Sequence, residues 1–133
     1  MIIPYVGVAP GLAYDSAGYD LYAAEEVPVG PLRMARIPID LSVSIPAGYY
    51  GAILPRSGWS AKGLLVITGT IDPDYRGKVS VLVFNATPDT IKVEAGVRCA
   101  QLVVQRYEKV EFMLTSSLDK TERGERGFGS SGY

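Results

Sequence analysis

Between Ile37 and Ile45 the chain alternates: Ile37, Ile39, Leu41, Val43 and Ile45 are apolar, and Pro38, Asp40, Ser42 and Ser44 stand between them. A period of two sends one set of side chains inward and the other into water, so this stretch predicts a half-buried strand. Pro38 puts it at a sheet edge or marks its start, because proline cannot donate to a ladder. From Val79 to Phe84 the run is nearly all apolar, with Val79, Val81 and Val83 on one side and Leu82 and Phe84 on the other. Such a run predicts a central strand covered on both faces. Further apolar runs at Gly48–Leu54, Leu64–Ile71, Thr90–Val93 and Cys99–Tyr107 are separated by turn-forming Pro, Gly, Asp and Ser. The cadence predicts an all-β fold, a jelly-roll-like antiparallel barrel or sandwich. Fifteen glycines and nine prolines leave space for at most one short helix, at Ser57–Lys62. Residues 119–133 combine charges and glycines around one Phe, the composition of a flexible C-terminal tail.

Composition narrows the chemistry more than the fold. A chain of 133 residues predicts one domain that buries a core without disulfides or a structural metal. Its net charge of −1, with 20% charged residues, argues against direct, non-specific nucleic-acid binding. The absence of histidine removes Ser-His-Asp and Cys-His nucleophiles and every His-ligated metal site. Cys99 is the sole cysteine, which excludes an intrachain disulfide and any multi-cysteine metal site and leaves no signature of an oxidising compartment. No apolar stretch approaches the ~18 residues of a membrane span, and no charged segment precedes an apolar one at the N-terminus. The expectation is a soluble intracellular protein, of cytoplasm or nucleus, with no membrane partner.

Several segments carry candidate chemistry, each beside a plainer reading. In GTIDPDYRGKV, two apolar runs flank Asp72-Pro73-Asp74-Tyr75-Arg76-Gly77, which fits a hairpin turn. Asp72 either caps that turn or, at the end of a strand beside a cavity, serves as a general base with Tyr75 as a flat wall. In PRSGWSAKG, the Arg56 fork, the Ser57 hydroxyl and backbone N–H groups near Gly58 suit a phosphate; the same residues make an ordinary exposed turn. Trp59 fits surface packing or a pocket rim. RGERGFGSSGY reads as plain disorder or as a lid that orders around a ligand. Asp20, in SAGYDLYAAEE, is a turn cap or a metal ligand through water. Cys99 reads as a small core residue, and Gln101 as a buried hydrogen-bonding group or a phosphate contact.

Taken together and in order, AGYDLYAAEE, PRSGWSAKG, GTIDPDYRGKV, GVRCAQL and RGERGFGSSG resemble the five motifs of the trimeric deoxyuridine triphosphatases, the dUTPases, from Ala17 to Gly132. The resemblance implies a β-barrel domain over 1–118 with a Gly-rich lid over 119–133, and a homotrimer with shared active sites. It also implies Mg²⁺-dependent hydrolysis of dUTP to dUMP and pyrophosphate by water attack at the α-phosphate, an activity that limits uracil in DNA and supplies dUMP for dTMP synthesis. Carried over by position, Asp72 is the general base and Tyr75 packs on the deoxyribose, rejecting ribonucleotides. Groups at Gly69, Thr70 and Ile71, with a contribution near Ser80, read uracil. Arg56, Ser57 and Gly58 of a neighbouring subunit hold phosphates, and Gln101 adds a phosphate or water contact. Asp20 reaches Mg²⁺ through water. Arg123 reaches the γ-phosphate, Phe128 covers the uracil, and Gly129, Ser130 and Ser131 wrap the phosphate chain.

Four positions depart from the family's pattern: Val97 replaces an acidic or polar residue, Ile67 and Thr68 stand where an Asn often meets uracil, and Ser131 replaces a Thr. Base reading is therefore expected to rest on backbone groups. Two alternatives share the fold. A dCTP deaminase would need a Glu base in the central strands, but no Glu occurs from Val27 to Val93. A noncatalytic nucleotide-binding module would have no use for a base, an arginine and a lid together.

Overall fold

A computed structural model describes residues 1–12 and 14–129. Its strands are β1 (Tyr5–Gly7), β2 (Tyr19–Tyr22), β3 (Val27–Val29), β4 (Met34–Pro38), β5 (Leu41–Val43) and β6 (Tyr49–Leu54). After the short helix α1 (Ser57–Ala61) come β7 (Leu64–Ile67), β8 (Gly69–Ile71), β9 (Ser80–Asn85), β10 (Ile91–Val93) and β11 (Arg98–Arg106). They form two principal sheets, β2-β11-β6-β8 and β4-β9-β7, flanked by the pairs β1-β5 and β10-β3. Every pairing is antiparallel, as the sandwich reading expects. No helix among the described residues is long and apolar enough to cross a membrane.

The core is the inward half of the alternating pattern. Ile37, Ile39, Leu41, Val43 and Ile45 are all buried, packed with Val81, Val83, Val93, Leu21 and Leu64. Each such side chain contributes roughly 1.5–3 kcal/mol of burial. The stretch from Ile37 to Ile45 is nevertheless two strands. Alternation continues through Ile39 and Asp40 while the pairing partner changes, since β4 pairs with β9 and β5 with β1. Pro38 ends β4, an edge strand, as its missing N–H demands. β9 is central in its sheet, yet its outer face is uncovered within the chain: Leu82 is 37% exposed while Val81 and Val83 are fully buried.

Among the described residues two buried polar side chains interrupt this core, Asp20 and Asn85. Asn85 is fully buried and fully partnered. Its Nδ2 donates to the carbonyls of Val29 (3.0 Å) and Asp89 (2.7 Å), and its Oδ1 accepts from the N–H and hydroxyl of Thr87. It stitches β3, β9 and the following turn together.

Beyond β11 the chain leaves the sandwich. Tyr107 still donates its N–H to Gly48 (3.0 Å), but Phe112, Met113, Leu114 and Leu118 are each more than 80% exposed.

Candidate active site

The loop carrying Asp72 is not a simple hairpin. β7 and β9 are the paired strands, and between them residues 68–79 swing out so that β8 can pair with β6 in the other sheet (Gly51 opposite Ile71, Ile53 opposite Gly69). The arm thus bridges the two sheets and leaves a cleft of about 240 Å³ beside it, lined by Gly69, Thr70, Ile71, Asp72, Tyr75 and Ser80 among others. These six are the base, base-reading and sugar-wall candidates named from sequence, and one cleft holds them all. Ile71, 3% exposed, anchors the end of β8 in the core, so the next residue, Asp72, emerges at the mouth, exposed to solvent.

The turn after Asp72 is braced from within. Tyr75 donates its N–H to the Asp72 carbonyl (3.1 Å), and Arg76 donates from Nη1 to the carbonyls of Pro73 (2.6 Å) and Tyr75 (3.1 Å). The Tyr75 hydroxyl donates to the Lys78 carbonyl (2.9 Å), holding the half-exposed ring at the cleft. Arg36 also borders this cleft, with Nη1 3.5 Å from Ser80 Oγ. No motif marked Arg36; its place on the outward face of β4 was the sole signal.

A second group forms where β2, β11 and α1 meet. Asp20, 8% exposed, pairs with two arginines: Arg56 Nε lies 3.1 Å from Oδ1 and Arg98 Nη1 lies 3.7 Å from Oδ2. The β11–β2 register shifts between Arg98 and Ala100, a bulge of the kind that re-aims a side chain. The Arg98 carbonyl accepts from Trp59 Nε1 (2.8 Å) and Arg56 Nη1 (3.3 Å), so Trp59 serves as packing that ties α1 to β11. Gln101 Nε2 donates to the Pro55 carbonyl (2.8 Å), fixing the start of the Arg56-Ser57-Gly58 segment. Its Oε1 occupies the space where any side chain at position 18 would project, which accounts for Gly18. Arg56 and Gly58 line a separate cleft of about 430 Å³ with Trp59, Lys62 and Arg98; Ser57 is exposed beside it. Arg98 went unassigned in the sequence reading, although it sits inside GVRCAQL.

Metal binding by the chain alone finds little support in this donor set. Among the described residues no group of three or more His, Cys, Asp or Glu side chains converges on a point. Asp20 has both oxygens engaged by arginine, with lone pairs left over for water. Such a site fits a Mg²⁺ ion that takes its inner ligands from phosphate oxygens and water, the usual habit of that ion.

Among the described residues of the third group, on the tail, none lines either cleft. Arg123 Nε donates to the Arg126 carbonyl (2.6 Å), while Arg126 donates back to the carbonyls of Arg123 (3.1 Å) and Glu122 (2.9 Å). Phe128 is fully exposed, and Gly129 has a positive φ of 85°. Ser130 and Ser131 lie outside the described residues. Cys99 is fully buried, its Sγ 3.6 Å from the Leu21 carbonyl, and burial pushes the thiol up to about 11; it is a core residue and no nucleophile.

A dUTPase family model matches residues 10–132. The deoxyuridine 5'-triphosphate nucleotidohydrolase of variola virus is 45% identical over 117 residues, covering 88% of this chain and 80% of the relative. Among solved structures, a mutant dUTPase of Staphylococcus bacteriophage 80alpha with dUpNHpp superposes with a TM-score of 0.94 at 29% identity, covering 99% of both chains. A mutant dUTPase from phage phi11 of S. aureus, described for its coordination of a structural Mg(II) ion, superposes at 0.82 with 26% identity, covering 88% of this chain and 98% of that one. With the family's model running through all three groups of site residues, the sandwich is the dUTPase jelly roll, and the chain belongs to the dUTPase family.

Proposed function

We propose that the chain hydrolyses dUTP to dUMP and pyrophosphate, with Asp72 as the base that orients and deprotonates the water attacking the α-phosphorus. The observation that carries this reading is the bridging arm, which sets an exposed carboxylate at the mouth of a cleft lined by backbone of Gly69, Thr70 and Ile71. Family membership favours this activity over the deaminase and noncatalytic readings.

Uracil enters beside Gly69–Ile71 and Ser80, where backbone donors and acceptors match its edge. Neither a cytosine amino group nor a thymine methyl suits that edge. The deoxyribose packs on Tyr75, which leaves no space for a 2′-hydroxyl. The phosphates then project past Asp72, and a carboxylate in hydrogen-bond reach of a water in line with the α-phosphorus performs the proton transfer. Arg56, with Ser57 and Gly58, supplies a fork and short donors for phosphate; Gln101 holds that segment in place and retains a donor for phosphate or water. Asp20 would hold Mg²⁺ through water, and the ion would supply positive charge to offset that of the phosphates.

The base cleft and the Arg56 cleft are separate in one chain, and no described residue of the tail lines either. A homotrimer that shares its sites reconciles this, placing the Arg56 segment of one subunit beside the Asp72 arm of another. The exposed apolar side chains of Phe112, Met113 and Leu114 fit a segment that packs on a neighbour. The lid, residues 119–133, then brings Arg123 to the γ-phosphate, Phe128 over the uracil, and Gly129, Ser130 and Ser131 around the phosphates.

Pyrophosphate release tests the reading, measured with dUTP, UTP, dCTP and dTTP, each with and without Mg²⁺, beside sedimentation of the same sample. The expected result is Mg²⁺-dependent release from dUTP alone by a trimer. Deamination of dCTP, or binding of dUTP without turnover, overturns the activity; an active monomer overturns the shared site.

A further inference from the structure

We propose that Gly77 determines sugar selectivity, because the Tyr75 phenol is seated in the space that a side chain at position 77 would fill. The proposal rests on the reading of Tyr75 as the deoxyribose wall. A Cβ built on Gly77 would lie 2.6 Å from Tyr75 Cζ and 3.0 Å from Cε1, and closer still to the hydroxyl. Carbon atoms that are not bonded do not approach so near, so any residue larger than glycine forces the ring to move. Tyr75 is the freer party, being half-exposed and hinged at two side-chain torsions.

Backbone strain is not the reason for glycine here. The glycines with φ in the left-handed region are elsewhere, at positions such as Gly48, Gly63 and Gly96, so alanine at 77 meets no dihedral penalty. The constraint is the contact with the ring.

Two other features show that the ring's position is set with care. Its hydroxyl donates to the carbonyl of the very next residue, Lys78 (2.9 Å), so the seat has a floor at Gly77 and an anchor beside it. Arg76 ties the preceding carbonyls of Pro73 and Tyr75, which braces the backbone leading into the seat. A wall that excludes one hydroxyl must hold its place to within a fraction of an ångström. A displaced ring loses the Lys78 bond and leaves a slot whose width is no longer defined.

Base reading, by contrast, depends on Gly69–Ile71 and Ser80, whereas the three atoms nearest a side chain at 77 all belong to Tyr75. A Gly77→Ala variant therefore separates the two selectivities. Its kcat/KM ratio for dUTP over UTP should fall by about tenfold or more, the scale set by losing a steric contact in a pocket. Its ratio for dUTP over dCTP should stay within about twofold of wild type. An unchanged dUTP-to-UTP ratio overturns the proposal, and so does a parallel fall of both ratios, which marks general damage. Should Gly77→Ala fail to fold, Tyr75→Phe decides: it keeps the ring and removes the anchor, and its dUTP-to-UTP ratio should fall by about twofold to fivefold, with no change overturning the proposal. Wild-type protein that releases no pyrophosphate from dUTP would refute the proposed activity instead, a result distinguishable from either of these.

Discussion

The arm at 68–79 and the tail at 107–129 both bear candidate chemistry, yet one is built and the other is not. In the arm, a buried Ile71, a strand pairing with β6 and four internal hydrogen bonds hold Asp72 and Tyr75 before any ligand arrives. The tail carries Arg123 and Phe128 on a segment whose large apolar side chains are in water. Past Tyr107, whose N–H still bonds Gly48, the hydrogen bonds of its described residues are local, within 115–117 and 121–126. A preorganised group contributes to the reaction without a cost of ordering at the moment of binding, whereas a group on an unpacked segment gives up chain entropy first. The arm is thus suited to the chemical step, and the tail to recognising that substrate has arrived.

This contrast can be broken at either end. The largest effect is expected from Asp72→Asn, which keeps the shape of the arm and removes the proton acceptor. Turnover should fall about a hundredfold to ten-thousandfold, with an unchanged melting temperature and dUTP still bound by calorimetry. Turnover near wild type in an intact assembly would remove the base from the arm. Next comes truncation after Leu118, which should reduce kcat/KM for dUTP by about a hundredfold, the worth of lost phosphate donors and water exclusion. The melting temperature should hardly move, because nothing in the core rests on residues 119–129. A large drop in stability would show that the tail is part of the packed fold.

The smallest effect at neutral pH concerns the core that anchors both regions. Burial raises the Cys99 thiol from 9.0 to about 11, so the folded protein holds this proton more tightly than the unfolded chain. The resulting stability is fully present below pH 9 and is lost as the pH rises through 11, about 2–3 kcal/mol in all. Urea unfolding of wild type and Cys99→Ala should therefore converge by about that amount between pH 8 and pH 11. A difference that stays constant with pH would place the thiol in a wetter site than its full burial implies.

Much of the sandwich was legible in the chain. The alternation at Ile37–Ile45 picked five residues that are all buried, and Val79, Val81 and Val83 fell on the inner face as their spacing required. What alternation cannot carry is the identity of the neighbouring strand. For that reason Ile37–Ile45 hid a change of partner at Asp40, and Leu64–Ile71 hid a change of sheet at Thr68. β1 was invisible because all three of its residues are exposed, and β3 because Pro28 sits inside it. In the site, residues close in sequence were read as a unit and are one, as Gly69 to Tyr75 show. The pairing of Asp20 with Arg56 and Arg98 was not legible, since it joins positions distant along the chain through sheet neighbours. The uncovered outer face of β9 escaped for a related reason, because an apolar run does not say whether its cover belongs to the same molecule.

The amide of Asn85 works as an address label for the whole β-architecture. An oily interior made of Val, Ile and Leu tolerates many arrangements of nearly equal energy, but a slip of β9 by one residue would carry this amide away from the Val29 carbonyl, its one partner distant along the chain, while Thr87 and Asp89 in the following turn would move with it. Misregistered chains would then hold a buried amide N–H that has lost its acceptor on β3, at a penalty of about 1–3 kcal/mol. The same side chain that adds little to the depth of the native well makes its competitors shallower, and so keeps the strand that follows the Asp72 arm in a single register.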